Sequence, residues 1–207
     1  MARRTKAEAA ATREALLDAA EDVFLERGVS RTSLEQIARH AGMTRGAVYW
    51  HFRNKADLFH ALLERVRMPF QDLVDKIEDS ARIESPLEAI RLACLTGMAR
   101  IEQPRYRRVH SILIHRCEFF GDIDPLRMQD ELSNETYQVL LTNFTAAADK
   151  GELATGISPD VATRLLHCML TGLFHDWLRH PERFSIRERG EALLDSLLAM
   201  MRPPDSG

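Results

Sequence analysis

The chain has little of what marks secreted, membrane or zinc-binding proteins. Its three cysteines, Cys94, Cys117 and Cys168, are an odd number at spacings that fit neither a disulfide framework nor a CxxC zinc module. The longest apolar runs, such as ILI at 112–114, are far too short to cross a bilayer. The N-terminus also lacks the apolar segment that a secretory signal requires. We therefore expect a cytoplasmic protein whose thiols stay reduced.

Sequence patterns of catalysis are missing too. No GxSxG, Walker loop or Rossmann glycine cluster occurs. The second half holds several histidines and cysteines, but His110 and His115 form no HExxH motif. Cys168 directly follows His167, so on a helix these two side chains point about 100° apart. The sequence therefore predicts no enzyme, no metal site and no cofactor.

The charges are unevenly distributed along the chain. The formal net charge is −3, which by itself is not typical of a nucleic-acid-binding protein. Residues 29–56, however, contain five basic residues and a single acidic one, Glu35. Positive charge is therefore concentrated in one short segment.

Signals that start and stop helices recur throughout, and no run of β-branched residues alternates with polar ones as in a sheet. After a first helix, a second is predicted from a capping box of Thr32 and Glu35 to Gly42. A third helix is predicted from Thr44 to about Phe52. The fold class is therefore all-α.

The remaining helices are predicted from capping residues and prolines. A fourth begins at Asn54 and extends to about residue 79, with Pro69 expected to kink it. Ser85-Pro86 and Ser158-Pro159 each place a capping oxygen before a first-turn proline. Further helices are predicted at roughly 86–102, 105–119, 125–150, 159–180 and 186–201, which gives about nine in total.

Residues 32–55, TSLEQIARHAGMTRGAVYWHFRNK, have the pattern of a helix-turn-helix motif. Leu34 and Ile37 give the first helix an inward face, and Gly42 permits the tight turn. Val48 and Phe52 bury the second helix, whose outer face is left exposed. Taken alone, such a pattern also fits a packed helical bundle with no role in DNA binding.

Side-chain chemistry suggests a role for each exposed residue of the motif. The outer face of the second helix carries Arg45, Gly46, Tyr49 and Trp50. Arg45 can chelate guanine O6 and N7, and Gly46 lets the helix approach base edges closely, so these two are predicted to read bases. Phosphate contacts are predicted for Thr32, Ser33, Thr44, Tyr49, His51 and Lys55. A flexible arm with Arg3, Arg4 and Lys6 can reach a minor groove or neighbouring phosphates.

The same segment resembles, nearly position for position, the DNA-binding signature of the TetR family, including the tyrosine, the His-Phe pair and the lysine. The order of elements fits as well, with one helix before the motif and about six after it. The resemblance implies a repressor that a small molecule releases from its operator. It implies a helix-turn-helix domain at 1–54 and a ligand-binding and dimerisation domain at 55–207, with a connecting helix at about 55–79.

Three stretches narrow the resemblance further. ARRTKAEAAATREALLDAAEDVFLERGV at the N-terminus, GAVYWHF, and ILIHRCEFF at 112–120 resemble the AcrR/TtgR branch, which represses multidrug efflux-pump operons. This branch implies varied hydrophobic or aromatic effectors. The matching pocket positions are Leu92, Thr96, His110, Ile114, His167, Leu170, Thr171 and His175. The alternatives are that these are ordinary core residues, or that the protein regulates a metabolic operon and takes a different effector.

The last two long helices carry more apolar surface than one small domain needs. A two-fold pair of such helices makes a four-helix bundle, so we expect a homodimer. The predicted interface consists of Leu173, Phe174, Trp177, Leu193, Leu194, Leu197 and Leu198. The alternative is that this apolar stripe faces only the chain's own core.

Overall fold

A computed structural model describes the chain at residues 6–81, 83–121 and 123–204. Over these residues it contains ten α-helices and no strand, which confirms the all-α prediction. The helices are α1 (Lys6–Arg27), α2 (Leu34–His40), α3 (Arg45–His51), α4 (Lys55–Glu64), α5 (Phe70–Ala81), α6 (Pro86–Ile101), α7 (Pro104–Ser111), α8 (Pro125–Asp149), α9 (Pro159–Arg179) and α10 (Ile186–Met201); a π-helical turn, Ile112–Arg116, follows α7. None of the described helices has the length and hydrophobicity needed to cross a bilayer.

The segment predicted as one kinked helix at 55–79 is two helices. α4 ends at Glu64 and α5 begins at Phe70, directly after Pro69. A proline has no backbone N–H to donate, and its ring disfavours a helical conformation in the residue before it. Pro69 therefore separates the two helices, which explains why the described residues form ten helices where the sequence suggests about nine.

The chain divides into two compact units, each discontinuous in sequence. The first consists of the chain up to Arg67 together with Arg105–Gln129. The second consists of Met68–Pro104 and the chain from Asp130 onward. The helix-turn-helix, α2 and α3, therefore shares a unit with the π-helical turn, which lies some 60 residues further along the chain.

The core of the first unit is built around α1. Phe24 of α1 meets Phe59 of α4 edge to face, with ring centroids 6.0 Å apart. Val109, Ile112 and Leu113, from the later segment, are buried in the same cluster. Apolar side chains of α1–α4 and of the segment Arg105–Gln129 are therefore buried together away from water. The core that supports the helix-turn-helix is formed by residues from two distant parts of the sequence.

An ion cluster lies beside this core. The buried carboxylate of Glu21, on α1, is 3.0 Å from Arg65 Nη1 and 3.5 Å from Arg108 Nε. Burial raises the pKa of Glu21, against the opposing charges of Arg65, Arg108 and Arg105. Arg65 directly follows α4 and Arg108 is on α7, so the cluster joins three helices of the first unit.

The second unit holds α5, α6, α9, α10 and most of α8. Its buried side chains include Ile90 of α6, Phe144 of α8, and Trp177 of α9. At Gly190 of α10, an added Cβ would clash with Met98 Sδ of α6. Glycine therefore allows these two helices to approach each other closely.

Candidate nucleic-acid interface and effector residues

The helix-turn-helix begins at a capping box one residue later than predicted. Ser33 Oγ accepts a hydrogen bond from the Gln36 backbone N–H (3.2 Å), and Gln36 Oε1 accepts one from the Ser33 backbone N–H (2.8 Å). The predicted partners were Thr32 and Glu35. Thr32 is buried, and its hydroxyl donates to the Gly28 carbonyl at 2.8 Å. This hydroxyl therefore secures the segment after α1, and the phosphate contact of Thr32 stays a prediction.

The turn between α2 and α3 depends on glycine. Gly42 has a φ of +67°, a left-handed conformation that side chains disfavour, and the next residue, Met43, donates its N–H to the Ala38 carbonyl at 2.8 Å. Thr44 then caps α3, where its Oγ1 accepts from the Ala47 N–H at 3.3 Å. The Thr44 side chain remains exposed, so it is still accessible to a phosphate.

The outer face of α3 is exposed as predicted. Arg45 and Tyr49 are exposed, and 72% of the Trp50 surface is accessible. A large aromatic surface left open among charged groups is typical of a binding surface. Among the described residues, a Cβ at Gly46 would meet nothing closer than Thr44 Oγ1, 3.9 Å away, so packing against them does not require glycine there. The missing side chain leaves room for an external partner.

Glu35, on α2, contacts this face in a way that the sequence does not reveal. Its Oε1 accepts a hydrogen bond from the Tyr49 hydroxyl at 2.9 Å and lies 3.3 Å from Arg45 Nε. Arg45 Cζ also lies 5.4 Å from the centroid of the Tyr49 ring. Hydrogen bonds from its own backbone N–H and from Tyr49 hold the pKa of Glu35 below its ordinary value. The only hint in the sequence is that Glu35 is the single acidic residue in the basic segment.

Lys55 is predicted to contact phosphate, but its ammonium group has partners inside the first unit. Nζ donates to the carbonyls of Val29 (2.7 Å) and Ser30 (2.9 Å) and lies 4.5 Å from the centroid of the Phe120 ring. Burial lowers the pKa of Lys55, and the neighbouring Cys117 opposes this effect. The lysine therefore fixes the loop after α1 to the start of α4.

The other residues predicted to contact DNA differ in exposure. Ser33 and Lys6 are exposed, and Lys6 is the first residue of α1. His51 is half-buried, and its ring meets the Trp50 ring edge to face at 4.5 Å. Arg3 and Arg4 lie outside the described residues.

The eight residues predicted to bind an effector are divided between the two units. His110 and Ile114 belong to the first unit, and the second contains Leu92, Thr96, His167, Leu170, Thr171 and His175. Thr96 and Thr171 are exposed and the others are half-buried, so none is completely enclosed by its own chain.

Two of the predicted effector histidines already have polar partners in their own unit. His110 Nδ1 donates to the Tyr106 carbonyl at 2.8 Å, and burial lowers the pKa of His110. His167 Nε2 lies 3.0 Å from Ser133 Oγ, and its ring meets the Tyr137 ring edge to face at 5.5 Å. A ligand that binds either histidine through these ring nitrogens must replace an existing partner.

The second unit also has a surface groove of about 500 Å³. It is lined by Glu88, Arg91, Asp195, Leu198, Ala199, Arg202, Pro203 and Pro204, none of which is a predicted effector residue. Arg91 Nε donates to Asp195 Oδ1 at 2.6 Å, so the main charges of the groove neutralise each other.

The residues predicted to form a dimer interface fall into two groups. Leu173, Trp177, Leu194 and Leu198 are buried within the single chain. Leu193 is 42% exposed, and Phe174 and Leu197 are half-buried. Other apolar residues that the prediction omits are exposed on the same helices, namely Val161 and Leu165 on α9 and Met200 on α10. The first four are packed in the chain's own core, and the accessible apolar surface of these two helices is formed by the rest.

Two family models match the chain. One, described as bacterial regulatory proteins of the tetR family, matches residues 16–62, which include the helix-turn-helix. The other, described as the C-terminal region of MAATS-type transcriptional repressors, matches residues 85–203. Together the two matches take in both units.

Individual proteins agree with the family models. The HTH-type transcriptional regulator TtgR of Pseudomonas putida is 34% identical over 204 residues, covering 98% of this chain and 97% of TtgR. The structure of NalD, the secondary repressor of the MexAB-OprM multidrug efflux pump in Pseudomonas aeruginosa, matches with a TM-score of 0.81 at 38% identity, over 95% of this chain and 98% of NalD. The complex of SmeT, from Stenotrophomonas maltophilia, with triclosan matches with a TM-score of 0.79 at 34% identity, over 95% and 93% of the two chains. The predicted likeness to the TtgR branch is confirmed, and the chain belongs to the tetR family of bacterial regulatory proteins.

Proposed function

We propose that this chain is a homodimeric repressor of a multidrug efflux-pump operon, and that small hydrophobic or aromatic compounds release it from operator DNA in the cytoplasm. The observation that carries the proposal is the exposed outer face of α3, with Arg45, Tyr49 and Trp50 open to a partner. Solved relatives named as repressors of multidrug efflux pumps, NalD and SmeT, support the assignment of target genes.

DNA contacts are proposed for residues 1–54. Arg45 and Gly46 enter a major groove and read bases, because an arginine can chelate guanine and a glycine leaves the backbone close to the base edges. Phosphate contacts come from the exposed side chains of Ser33 and Thr44, with the arm of Arg3, Arg4 and Lys6 alongside. The phosphate contacts predicted for Tyr49 and for the half-buried His51 stay predictions, because the Tyr49 hydroxyl already donates to Glu35. Thr32 and Lys55 support the motif from within.

Dimerisation is proposed through the exposed apolar faces of α9 and α10. Val161 and Leu165 are one turn apart on α9, and Leu193, Leu197 and Met200 follow helical spacing on α10. Two-fold pairing of these helices makes a four-helix bundle and covers this surface. A symmetric pair also provides two recognition helices for the two halves of an operator.

Effector binding is proposed for residues 55–207. The eight candidate residues are three aliphatic side chains, three histidines and two threonines, which can combine apolar contact with a few hydrogen bonds to an aromatic molecule. The complex of the relative SmeT with triclosan supports a small-molecule effector. Release follows if the effector binds the conformation with low DNA affinity more tightly than the conformation that binds the operator.

A gel-shift experiment tests the proposal. Purified protein is mixed with DNA from upstream of its own gene, at fixed salt, with a panel of hydrophobic antibiotics and phenolic compounds. We expect a specific shift that several aromatic compounds reverse. A specific shift that only a metabolic intermediate reverses would favour control of a metabolic operon, and no preference over random DNA would overturn the proposal.

A further inference from the structure

One carboxylate oxygen joins two side chains on the surface proposed to bind DNA. Glu35 Oε1 accepts the Tyr49 hydroxyl hydrogen bond at 2.9 Å and lies 3.3 Å from Arg45 Nε. Arg45 and Tyr49 are four residues apart on α3, so both project from the same face of that helix. With Arg45 Cζ 5.4 Å from the Tyr49 ring, the three residues form a closed triangle at the surface.

The contact uses one particular nitrogen of the arginine. Guanidinium groups have five N–H donors in a rigid plane, and guanine O6 and N7 take two of them at once. Pairing through Nε leaves the two terminal nitrogens of Arg45 for the base. Since 74% of the Arg45 side chain is exposed, those nitrogens are accessible to a duplex.

Orientation matters here because an exposed arginine is otherwise mobile. A free arginine side chain has many rotamers, and fixing it on a base costs conformational entropy. Glu35 and the Tyr49 ring limit that freedom before DNA arrives. Glu35 itself is on α2, whose first turn and capping box fix its position.

We propose that Glu35 is a positioning residue for base recognition: it orients Arg45, directly and through Tyr49, so that the arginine reads one base pair in each half-site. The inference rests on the proposed DNA-binding function and adds a specificity determinant to it. Glu35 touches no base in this role. Its negative charge weakens binding to all DNA, because phosphates repel it, while it increases the difference between the correct and the wrong sequence.

Two substitutions separate these effects. Glu35→Ala removes both contacts, whereas Glu35→Gln keeps an acceptor for the Tyr49 hydroxyl and removes the charge that holds Arg45. The matched control is Glu26→Gln on α1, since Glu26 is equally a surface glutamate of the first unit and pairs only with its neighbour Arg27 among the ion pairs of the described residues. All three variants are first checked for unchanged helical circular dichroism.

The readout is discrimination between duplexes. Wild-type dimer is used to enrich a sequence from a pool of random duplexes, and each variant is then titrated with that duplex and with single-base variants of each half-site position. We expect Glu35→Ala to lower discrimination about tenfold at one position, Glu35→Gln to lower it less, and both to bind scrambled DNA as tightly as wild type or more tightly. Glu26→Gln keeps the wild-type discrimination.

The outcomes that overturn the inference are distinct from failure of the proposed function. If both Glu35 variants discriminate as well as wild type, or better, Glu35 does not position Arg45 and instead competes with DNA for it. If the wild-type protein enriches no sequence at all, the proposed DNA-binding function itself fails.

Discussion

The outer face of α3 and the outer faces of α9 and α10 are both open to solvent, but they differ in how far sequence reveals their partner. On α3 an arginine, a tyrosine and a tryptophan are exposed together, and this chemistry indicates DNA. On α9 and α10 the exposed residues are aliphatic, like those in the core beneath them. An apolar helix has two potential partners, its own chain and a second copy, and the sequence pattern does not distinguish them.

The largest effect is expected from Leu194→Asp. Leu194 is fully buried within the second unit, so the substitution places a charge in the core with no partner. We expect a loss of more than about 4 kcal/mol, enough to unfold this unit. Circular dichroism and urea titration measure it. A folded, monomeric Leu194→Asp protein would place Leu194 in the interface and not in the core.

Leu193→Asp, at the next residue of the same helix, tests the face of α10 that is exposed to solvent. Leu193 is 42% exposed, so we expect the chain to fold and the dimer to weaken about a hundredfold, because pairing would now bury a charge. Sedimentation velocity over a concentration series measures dissociation. The control is Leu126→Asp, at an exposed leucine on α8 that lies in the first unit. Equal dissociation constants for both variants would exclude the α10 face from the interface.

Lys55→Met tests whether an assigned phosphate contact is structural. Losing two hydrogen bonds from a charged donor to the carbonyls of Val29 and Ser30 should cost about 1–3 kcal/mol of unfolding free energy. The salt dependence of DNA binding should change little. Arg53→Met removes the same charge at an exposed position and serves as control. Unchanged stability of Lys55→Met with a salt slope reduced by about one would restore the phosphate role.

The smallest effect concerns His110 and pH. Because burial lowers its pKa in the folded chain, the unfolded chain binds a proton at higher pH than the folded chain does. The stability from neutral His110 is therefore complete above the ordinary value of 6.5 and is lost as the pH falls below it, by at most about 1.4 kcal/mol per pH unit. His110→Gln should flatten this dependence in urea titrations between pH 7 and pH 5, and exposed His60→Gln should not. Parallel curves for wild type and His110→Gln would contradict the assignment.

Local signals predicted the fold well. Ser85 and Ser158 cap α6 and α9 as expected, each accepting a backbone N–H from three residues ahead. Such caps involve neighbours in sequence, so they can be read without a structure. The partners of Lys55 at Val29 and Ser30, and of Glu35 at Arg45 and Tyr49, depend instead on tertiary packing. Side-chain chemistry alone predicted a phosphate contact for Lys55. The hydrogen bonds from its Nζ to the carbonyls of Val29 and Ser30 can be seen only in the structure.

The discontinuous first unit limits how this protein can be divided or recombined. Val109, Ile112 and Leu113 are buried in the same cluster as the side chains of α1. A fragment ending at residue 67 lacks these three residues, so it would expose apolar side chains of α1 and be prone to aggregation. Chimaeras that exchange the first unit between relatives therefore need to include Arg105–Gln129 together with the N-terminal segment. A substitution that changes the volume of a buried side chain in one segment therefore has to be accommodated by the other.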